Sequence, residues 1–472
     1  MSLSKMNIKH ITQDFIKPSN PTPNHLRLLR ASLFDHVNTP VLMPLIFFYS
    51  RTYTTNIGTN QALDRLKGSL PTTLSIFYPL AGRVHNAKQI DCNDEGVPYV
   101  QAVVDCPLVD IVYKAEMSQL DKLVPIYGKE GYTSLLLAIQ VNVFACGGLA
   151  IGVKMSHAIS DAFSFFMFMK TWASIANGNH DTVPLNRPYF EISKLFPPPS
   201  PQIVNNVEED SNQNPDLIQE RPVSKWFLFS ETKLDEIRTK LFSYTNSTTT
   251  STNSDDGFRN YKNSLPSRPM VLSAFIWSRI KVACHDSVNI IPNEVYHAVN
   301  LRPRVNTPDE NSYYFGNLVV NAIVNSSLVL NDDNNNSMKE SRWLYNFLAL
   351  TKESIEKILS DGFIKEILEG KEDLRFMMEH FERESKGEII SLGLSNLRSL
   401  PVYEADFGWG KPIWVTSATL VFKDLIILIP AGPSSNDIVA YINLSSDDMA
   451  KLENDARFIE LTSKATQVHS KI

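Results

Sequence analysis

The chain has 472 residues, of which 43% are hydrophobic and 20% are charged, and its formal net charge is -6. This length exceeds the usual size of a single hydrophobic core, so two domains are expected, and the mildly acidic balance gives no reason to expect binding to nucleic acid or to a membrane. The four cysteines show no spacing typical of metal ligands, which predicts reduced, mostly buried thiols and no metal site.

The predicted elements of the first half run from a polar N-terminus to an apolar helix. Residues 1–18 lack the apolar core of a signal peptide, and no uninterrupted span of about 20 apolar residues occurs, so we expect a cytoplasmic protein. Apolar periodicity predicts a helix over 66–77 and two strands over 135–156, joined by a Gly-Gly turn. The run AFSFFMFMKTWASIA at 162–176 is long and apolar enough for a buried helix.

A break in composition separates the two halves. Prolines and then polar residues fill 184–222, which predicts an irregular crossover linker. We therefore divide the chain into an N-terminal domain at 1–185, a linker at 186–222 and a C-terminal domain at 223–472.

The second half again alternates strand and helix patterns. The sequence predicts strands at 224–230 and 295–305, helices at 271–283 and 341–361, exposed loops in the polar tracts at 243–264 and 330–341, and a capping box at Ser445 and Asp448 before a last helix. Both halves therefore indicate an α/β fold class.

A histidine stands at the junction between the second predicted strand and the long helix. In the string MSHAISDAFSF, His157 precedes Asp161 by four residues, and either Ser160 or Asp161 is suited to cap the helix. Histidine titrates near neutral pH, so a histidine in a turn that reaches a cavity suits general-base catalysis. A lone histidine is more often a satisfied core residue, and the spacing by itself leaves both interpretations open.

A second unusual string, YEADFGWGKP at 403–412, lies about half the chain away. Its central residues are Asp406, Phe407, Gly408, Trp409 and Gly410. Glycines on both sides of an indole permit a tight backbone path that few other residues tolerate. The carboxylate that precedes them can accept hydrogen bonds from nearby amides or from an arginine.

The two strings in this order resemble the BAHD family of plant acyl-CoA-dependent acyltransferases, whose marks are HxxxD and DFGWG. Within this family, the sequence most resembles the branch that contains alkaloid acetyltransferases and acylsugar acyltransferases. Further likenesses extend from about residue 8 to 455, at IKPSNPTP (16–23), FYPLAGRV (77–84), DCNDEGV (91–97), QVNVFACGGLAIG (140–152), NLRPR (300–304), YFGN (314–317) and SSDDMAKLE (445–453).

The resemblance implies two chloramphenicol-acetyltransferase-like domains with a solvent channel between them. It implies that His157 is the general base and that Asp161 supports the turn rather than forming a catalytic triad. The expected partner of Asp161 is Arg302, with Arg279 as the alternative. The DFGWG residues are expected to be structural, and a role of Trp409 as an oxyanion donor is the less favoured alternative.

Substrate contacts are implied only by position in the family. Acyl-CoA is expected near Ser273 and near the strand that carries Val415 and Ser417, while Lys411 either lies at the channel mouth or is a solvated surface lysine. The acceptor pocket is expected at Asn396 and Leu397, where relatives commonly have serine and tryptophan. Tyr441 likewise stands where tryptophan is frequent.

The implied reaction moves an acyl group, acetyl or short aliphatic, from acyl-CoA to a hydroxyl of a specialised plant metabolite such as an alkaloid, a terpenoid or a sugar ester. We expect a monomer with no permanently bound cofactor. Three alternatives stay open: a hydroxycinnamoyl or other aromatic donor, a non-catalytic family member that binds a metabolite or a partner enzyme, and a metal-dependent hydrolase with His157 and Asp161 as ligands.

Overall fold

The structure is a computed structural model, and it describes the greater part of the chain. The described residues are 6–38, 41–50, 58–86, 89–114, 116–126, 134–178, 187–198, 222–248, 265–284, 293–307, 312–325 and 336–463.

Strands and helices alternate along the first half. Its strands are β1 (Ile8–Ile16), β2 (Leu28–Arg30), β3 (Leu42–Tyr49), β4 (Arg83–Asn86), β5 (Gln89–Asp91), β6 (Val97–Val104), β7 (Leu137–Phe144), β8 (Leu149–Ser156) and β9 (Arg187–Tyr189). Its helices are α1 (Leu33–His36), α2 (Thr59–Ile76), α3 (Leu108–Lys114), α4 (Met117–Leu120), α5 (Ala162–Asn177) and α6 (Ile192–Leu195), with 3-10 turns at Asn24–Leu26, Tyr78–Ala81 and Asp121–Leu123.

The second half continues in the same manner. Its strands are β10 (Val223–Phe229), β11 (Asn293–Asn300), β12 (Ser312–Tyr314), β13 (Val319–Asn325), β14 (Ile390–Asn396), β15 (Trp414–Thr416), β16 (Leu425–Pro430), β17 (Ile438–Leu444) and β18 (Thr462–Ser463). Its helices are α7 (Glu231–Thr248), α8 (Arg268–Cys284), α9 (Asn336–Ile358), α10 (Asp361–Leu368), α11 (Arg375–Ser385), α12 (Ser446–Glu453) and α13 (Ala456–Leu461), with a 3-10 turn at Arg302–Arg304.

A six-stranded sheet in the order β1-β6-β7-β8-β3-β15 organises the first half. Side chains alternate between the two faces of a strand, and β8 shows this directly. Ile151 packs in the main hydrophobic core together with Phe168 of α5, whereas its neighbour Ala150 packs in a separate cluster with Trp414. The long apolar helix is therefore buried against one face of this sheet.

A seven-stranded sheet in the order β13-β11-β14-β16-β17-β10-β18 organises the second half. Helices α7, α8, α9, α12 and α13 contribute to one hydrophobic cluster with residues of this sheet, such as Ile426 and Ala440. Together with the first sheet, this arrangement confirms the predicted α/β class.

The two halves exchange short segments. Strand β15 comes from the second half but pairs antiparallel with β3 in the first sheet, with Val415 opposite Phe47. In the other direction, β9 pairs parallel with β12 of the second half. The division at 186–222 stays a prediction. A division along the sequence does not describe these strand pairings, because they cross the predicted boundary.

Several predicted elements agree with the structure. The long apolar helix is α5, and the two strands around the Gly-Gly turn are β7 and β8. Of the predicted capping box, the structure shows the N-cap bond from the backbone N–H of Asp448 to Ser445, and the predicted last helix is divided into α12 and α13. No helix in the described ranges is long and apolar enough to cross a membrane.

The predicted irregular linker is wrong for Arg187–Tyr189 and Ile192–Leu195, which form β9 and α6. Pairing with β12 stabilises this segment in spite of Pro188, because an edge strand tolerates the missing N–H donor. The predicted strand at 295–305 is too long, since β11 ends at Asn300 and a 3-10 turn containing Pro303 follows. Residues 199–221 of the predicted linker lie outside the described residues.

The two predicted loops in polar tracts are partly helical. Helix α7 continues to Thr248, and α9 begins at Asn336. Polar composition did not prevent these helices from extending, since composition alone does not exclude a helix. The rest of the two tracts, 249–264 and 330–335, lies outside the described residues.

Candidate active site

His157 lies in a tight turn between β8 and α5. The turn is closed locally, because the hydroxyl of Ser160 donates to the carbonyl of Ser156 at 3.0 Å. Asp161 is the N-cap of α5, and its Oδ1 accepts from the backbone N–H of Ser164 at 3.0 Å. The cap is thus Asp161 and not Ser160, and it fixes where the helix begins relative to the histidine.

Both backbone groups of His157 are hydrogen bonded. Its N–H donates to the carbonyl of Val41 at 2.8 Å, and its carbonyl accepts from Nδ2 of Asn317 at 2.8 Å. The side chain is partly exposed, and its Nδ1 is buried without a hydrogen-bond partner among the described residues. The imidazole is therefore positioned through its backbone and not through a neighbouring carboxylate.

Asp161 forms a buried ion pair with Arg302. Arg302 Nη1 lies 2.7 Å from Asp161 Oδ2, and Nη2 lies 3.2 Å from Oδ1, with side-chain exposures of 8% and 5%. The backbone N–H of Leu318 also donates to Asp161 Oδ2 at 3.1 Å. These bonds and the cap of α5 engage both carboxylate oxygens, so the carboxylate braces the turn.

The guanidinium of Arg302 holds several further groups around the same turn. It donates to the carbonyls of Tyr314 and Gly316, each at 2.8 Å, and to the hydroxyl of Ser164 at 3.1 Å. Its Cζ lies 4.4 Å from the ring centroid of Phe163, a cation–π contact.

Arg279, the alternative partner of Asp161, has a different contact. Its guanidinium forms a bidentate pair with Asp455, with N–O distances of 3.0 and 2.8 Å. The structure therefore brings Asp161 to Arg302 and not to Arg279.

The segment YFGN at 314–317 packs directly on the turn. Gly316 has φ of 146°, and a Cβ at this position would lie 2.7 Å from Cδ1 of Ile192. The hydroxyl of Ser164 donates to the carbonyl of Gly316 and accepts from its N–H, both at 2.9 Å. Asn317 follows, is 1% exposed, and donates from Nδ2 to Asp35 Oδ1 at 2.8 Å as well as to His157.

Sequence reasoning missed the roles of Asp35, Ser164, Gly316 and Asn317. YFGN was noted only as a likeness to the family. The spacing Ser-x-x-Asp at 32–35 is a capping-box signal that could have identified Asp35, and the structure contains that capping box. Burial raises the pKa of the Asp35 carboxyl above its ordinary value, although hydrogen bonds from Ser32 and Asn317 oppose this shift.

The DFGWG loop is folded around its own aspartate. Oδ1 of Asp406 accepts from the backbone N–H groups of Gly408 and Gly410, both at 2.9 Å. These glycines have φ of 96° and 103°, values that favour glycine. A Cβ at Gly408 would lie 2.3 Å from Nη1 of Arg65, so the end of that side chain would have to move, and the backbone conformation is the stronger requirement for glycine there.

Aromatic packing attaches this loop to the first half of the chain. The ring of Phe407 lies 5.0 Å from Trp172 of α5 and 5.9 Å from Tyr49 of β3, and it stacks on Trp409 at 5.5 Å. Tyr49 donates its hydroxyl to the carbonyl of Ala405 at 2.9 Å, and burial raises its pKa well above the ordinary value, with a smaller contribution from the charge of Asp406.

The loop therefore lies toward the far end of α5 from His157. Trp172 follows Asp161 by eleven residues, which corresponds to roughly 16 Å along a helix. This placement favours the structural role expected for DFGWG over the alternative in which Trp409 donates to the reacting centre.

The residues predicted to contact acyl-CoA are already hydrogen bonded. Ser273 is 4% exposed in α8, and its hydroxyl donates to the carbonyl of Pro269 at 2.9 Å. Ser417 donates from Oγ to the carbonyl of Pro44 at 2.9 Å and from its N–H to the hydroxyl of Tyr441 at 3.1 Å. Ser417 thus joins the two halves next to β15.

The predicted acceptor residues differ in exposure. Asn396 is exposed at the end of β14 and accepts from the N–H of Arg398 at 3.2 Å. Leu397 is 8% exposed and belongs to the main hydrophobic core. Lys411 is an exposed lysine that pairs with Glu404 at 2.9 Å, which matches the surface alternative.

Within the described ranges, no group of three or more histidine, cysteine, aspartate or glutamate side chains is arranged to hold a metal ion. Asp161 is also bound to Arg302, so its carboxylate is not free to bind a metal ion together with His157.

Comparison with known proteins shows likeness over almost the whole chain. The model of a family described as "Transferase family" matches residues 6–459. Stemmadenine O-acetyltransferase of Catharanthus roseus is 31% identical, over 94% of this chain and 96% of its own. Limonoid 1-O-acetyltransferase of Citrus sinensis is 30% identical, over 98% of this chain and 100% of its own.

A solved structure agrees with this result. The crystal structure of vinorine synthase superposes with a TM-score of 0.75 at 27% identity, and the match covers 97% of this chain and 99% of that one. The likeness confirms the predicted fold class.

Proposed function

Because this chain belongs to the Transferase family, the BAHD acyl-CoA-dependent O-acyltransferases, we propose that His157 is the general base that activates an acceptor hydroxyl for attack on an acyl thioester. The enzyme class follows from the membership. The chain is an acyl-CoA-dependent O-acyltransferase, and acyl-CoA is its co-substrate.

The observation that supports His157 is the way in which the structure holds it. Its backbone N–H and carbonyl are both fixed at 2.8 Å, while its side chain stays partly exposed. A general base needs this combination of a fixed position and a ring that can reach the acceptor. The neighbouring Asp161 is committed to Arg302 and to the cap of α5.

The proposed reaction needs one proton carrier. As the acceptor oxygen bonds to the thioester carbonyl carbon, His157 takes the hydroxyl proton and becomes an imidazolium. The tetrahedral intermediate then collapses, the carbon–sulfur bond breaks, and the imidazolium returns the proton to the departing CoA thiolate. The imidazole is thus regenerated in each turnover, and such a base contributes about 10²- to 10⁴-fold in rate.

We propose acetyl or another short aliphatic group as the acyl group. Support comes from the similar proteins, which are named as O-acetyltransferases of stemmadenine and of a limonoid. The same names support a hydroxyl of a specialised plant metabolite such as an alkaloid or a terpenoid as the acceptor, and a sugar ester stays a proposal from the resemblance to the family. An aromatic acyl-CoA donor is the alternative within this class.

We further propose that acyl-CoA and the acceptor meet in a channel between the two domains, and that Leu397 forms part of the acceptor wall. Leu397 lies in the same hydrophobic core as Phe315, the residue that precedes Gly316 beside the catalytic turn. An aliphatic side chain there suits a larger or more apolar acceptor than an indole would.

A monomer in the cytoplasm is the proposed working form. The candidate site is complete within one chain, because the groups that hold His157 come from its own two halves. All four cysteines are free thiols, as is usual for a reducing compartment.

A screen of purified protein tests the proposed function. The protein is incubated with acetyl-CoA, malonyl-CoA or coumaroyl-CoA and a panel of alkaloid, terpenoid and sugar-ester alcohols, and products are identified by mass. His157→Ala serves as the inactive reference, and His25→Ala, which removes an exposed histidine of the first half, is the matched control.

We expect an ester of one acceptor class with the acetyl donor from wild type and His25→Ala. A product obtained only with coumaroyl-CoA would replace the proposed donor. Binding of a metabolite without any ester in the whole panel would support the non-catalytic alternative.

A further inference from the structure

The carbonyl group of His157 is held by a residue from the opposite half of the chain. Asn317 follows β12 in the second half, and its Nδ2 reaches the carbonyl oxygen of His157 at 2.8 Å. The His157 N–H is held from within the first half by the carbonyl of Val41. Contact between the two halves therefore completes the placement of the His157 peptide unit.

The amide of Asn317 has only one chemically consistent orientation. Nδ2 donates to the His157 carbonyl and to Oδ1 of Asp35, each at 2.8 Å. Both partners are pure acceptors, so exchange of the amide nitrogen and oxygen would bring three acceptor oxygens together. The two hydrogen atoms of the amide thus join a carboxylate and the peptide of the proposed base.

Asp35 is itself immobilised on the first half. Its Oδ2 accepts from the N–H of Ser32 at 2.7 Å and from the hydroxyl of Ser32 at 2.8 Å. The first of these bonds and the bond from the Asp35 N–H to Oγ of Ser32 form the capping box of α1. The carboxylate is a stronger acceptor than a neutral oxygen, so it fixes the rotamer of Asn317 firmly. The tether runs from Ser32 through Asp35 and Asn317 to His157.

Both hydrogens of the Asn317 amide are committed to these two partners. The side chain is 1% exposed, and its Oδ1 is buried without a hydrogen-bond partner in the described part of the chain. An apolar side chain of similar size would remove the unsatisfied Oδ1, but it would take from the His157 carbonyl and from Oδ1 of Asp35 the donor that Asn317 supplies. The contribution of Asn317 therefore lies in the two bonds that its Nδ2 donates.

We propose that Asn317, held by Asp35, is a positioning residue for the proposed base. It sets the peptide of His157 and thereby the point from which the imidazole reaches the acceptor. This inference rests on the proposed function, since it requires His157 to act in turnover. Small displacements of a catalytic group can lower the rate by about 10²-fold, so the loss of this tether is expected to reduce kcat.

The test is a double-mutant cycle in single-turnover acylation, with acetyl-CoA and an acceptor that wild type esterifies. The four proteins are wild type, Asn317→Ala, His157→Ala and the double variant. Asn317→Ala should lower the rate about 10- to 100-fold, with CoA affinity measured by calorimetry within about threefold of wild type. In the His157→Ala background, Asn317→Ala should change the residual rate by less than about threefold, because partners in one unit are non-additive.

Two further variants separate positioning from general stability. Asn443 is also 1% exposed, donates one bond to a backbone carbonyl and leaves its Oδ1 unpartnered among the described residues, so Asn443→Ala is the matched control. Asp35→Asn keeps the size of the anchor but places an NH2 against the donors of either Ser32 or Asn317. We expect an unchanged rate for Asn443→Ala and a reduced rate for Asp35→Asn.

The possible outcomes distinguish this inference from the proposed function. If His157→Ala keeps more than about a tenth of the rate, the proposed function fails. If His157→Ala keeps less than about a tenth of the rate but Asn317→Ala lowers this residual rate as strongly as it lowers the wild-type rate, only the positioning role is overturned. Should Asn317→Ala not fold, Asp35→Asn and its double variant with His157→Ala give the same comparison.

Discussion

Breaking the Asp161–Arg302 pair should reduce stability and turnover together. The two side chains are 5% and 8% exposed, and removing one partner of such a buried pair costs about 3 to 5 kcal/mol. Asp161→Asn should fall at the lower end, because asparagine still caps α5. Arg302→Ala should fall at the upper end, because it also removes the guanidinium bond to the carbonyl of Tyr314 and one of the bonds to the carbonyl of Gly316, which keeps the hydroxyl of Ser164 as a donor.

The double variant should lose less than the sum of the two single losses, by about 0.5 to 3 kcal/mol, since both residues belong to one network. The measurement is urea unfolding at equilibrium, combined with kcat determined well below the unfolding transition. Arg279→Ala supplies the control. It removes a comparably buried pair with Asp455, at 14% and 11% exposure, and should lower stability while kcat of the folded protein is retained.

Additive stability losses for Asp161 and Arg302 would refute the assignment of a shared brace. A second result would refute its link to the catalytic turn, namely an Arg279→Ala variant whose kcat falls as far as that of Arg302→Ala.

Two further changes test the other motif and the proposed acceptor wall. Gly408→Ala should destabilise the protein by about 1 to 3 kcal/mol or more, because φ is 96° and the new Cβ would lie 2.3 Å from Arg65 Nη1. The control is Gly387→Ala, at φ of 70° with open space around it, which should lower stability less in thermal unfolding. Equal losses of stability would contradict the packing argument. Leu397→Trp should lower kcat/KM for a large acceptor by roughly 5- to 150-fold through overpacking. The kcat/KM for acyl-CoA, measured with a small acceptor, should be retained. Equal loss for every acceptor would remove Leu397 from the proposed wall.

Local patterns in the sequence predicted the elements that position the candidate base. The strands β7 and β8 and the apolar helix α5 follow from periodicity and length, and the short spacing between His157 and Asp161 places both on the same junction. A cap such as Asp161 acts on its own helix, so a local pattern is enough to identify it as a candidate. The resemblance to the family then selected Arg302, which no local pattern could have done.

Long-range contacts account for what the sequence did not reveal. Asn317 lies 282 residues from Asp35 and 160 from His157, and nothing in either neighbourhood identifies the other. The resemblance implied a strand at Val415, but its pairing was missed, because three residues are too few to show a strand period and their partner β3 lies in the other half of the chain. The strand β9 was missed because its proline favoured an irregular linker, whereas pairing with β12 stabilises it.

The most direct test of the account is the single-turnover rate of His157→Ala, measured beside its CoA affinity. We expect a rate lowered by about 10²- to 10⁴-fold, because a proton carrier is removed. CoA affinity and unfolding should stay near wild type, because the bonds that hold this turn come from the backbone of residue 157 and from Asp161. A variant that retains more than about a tenth of the wild-type rate would contradict the assignment of His157 as the general base.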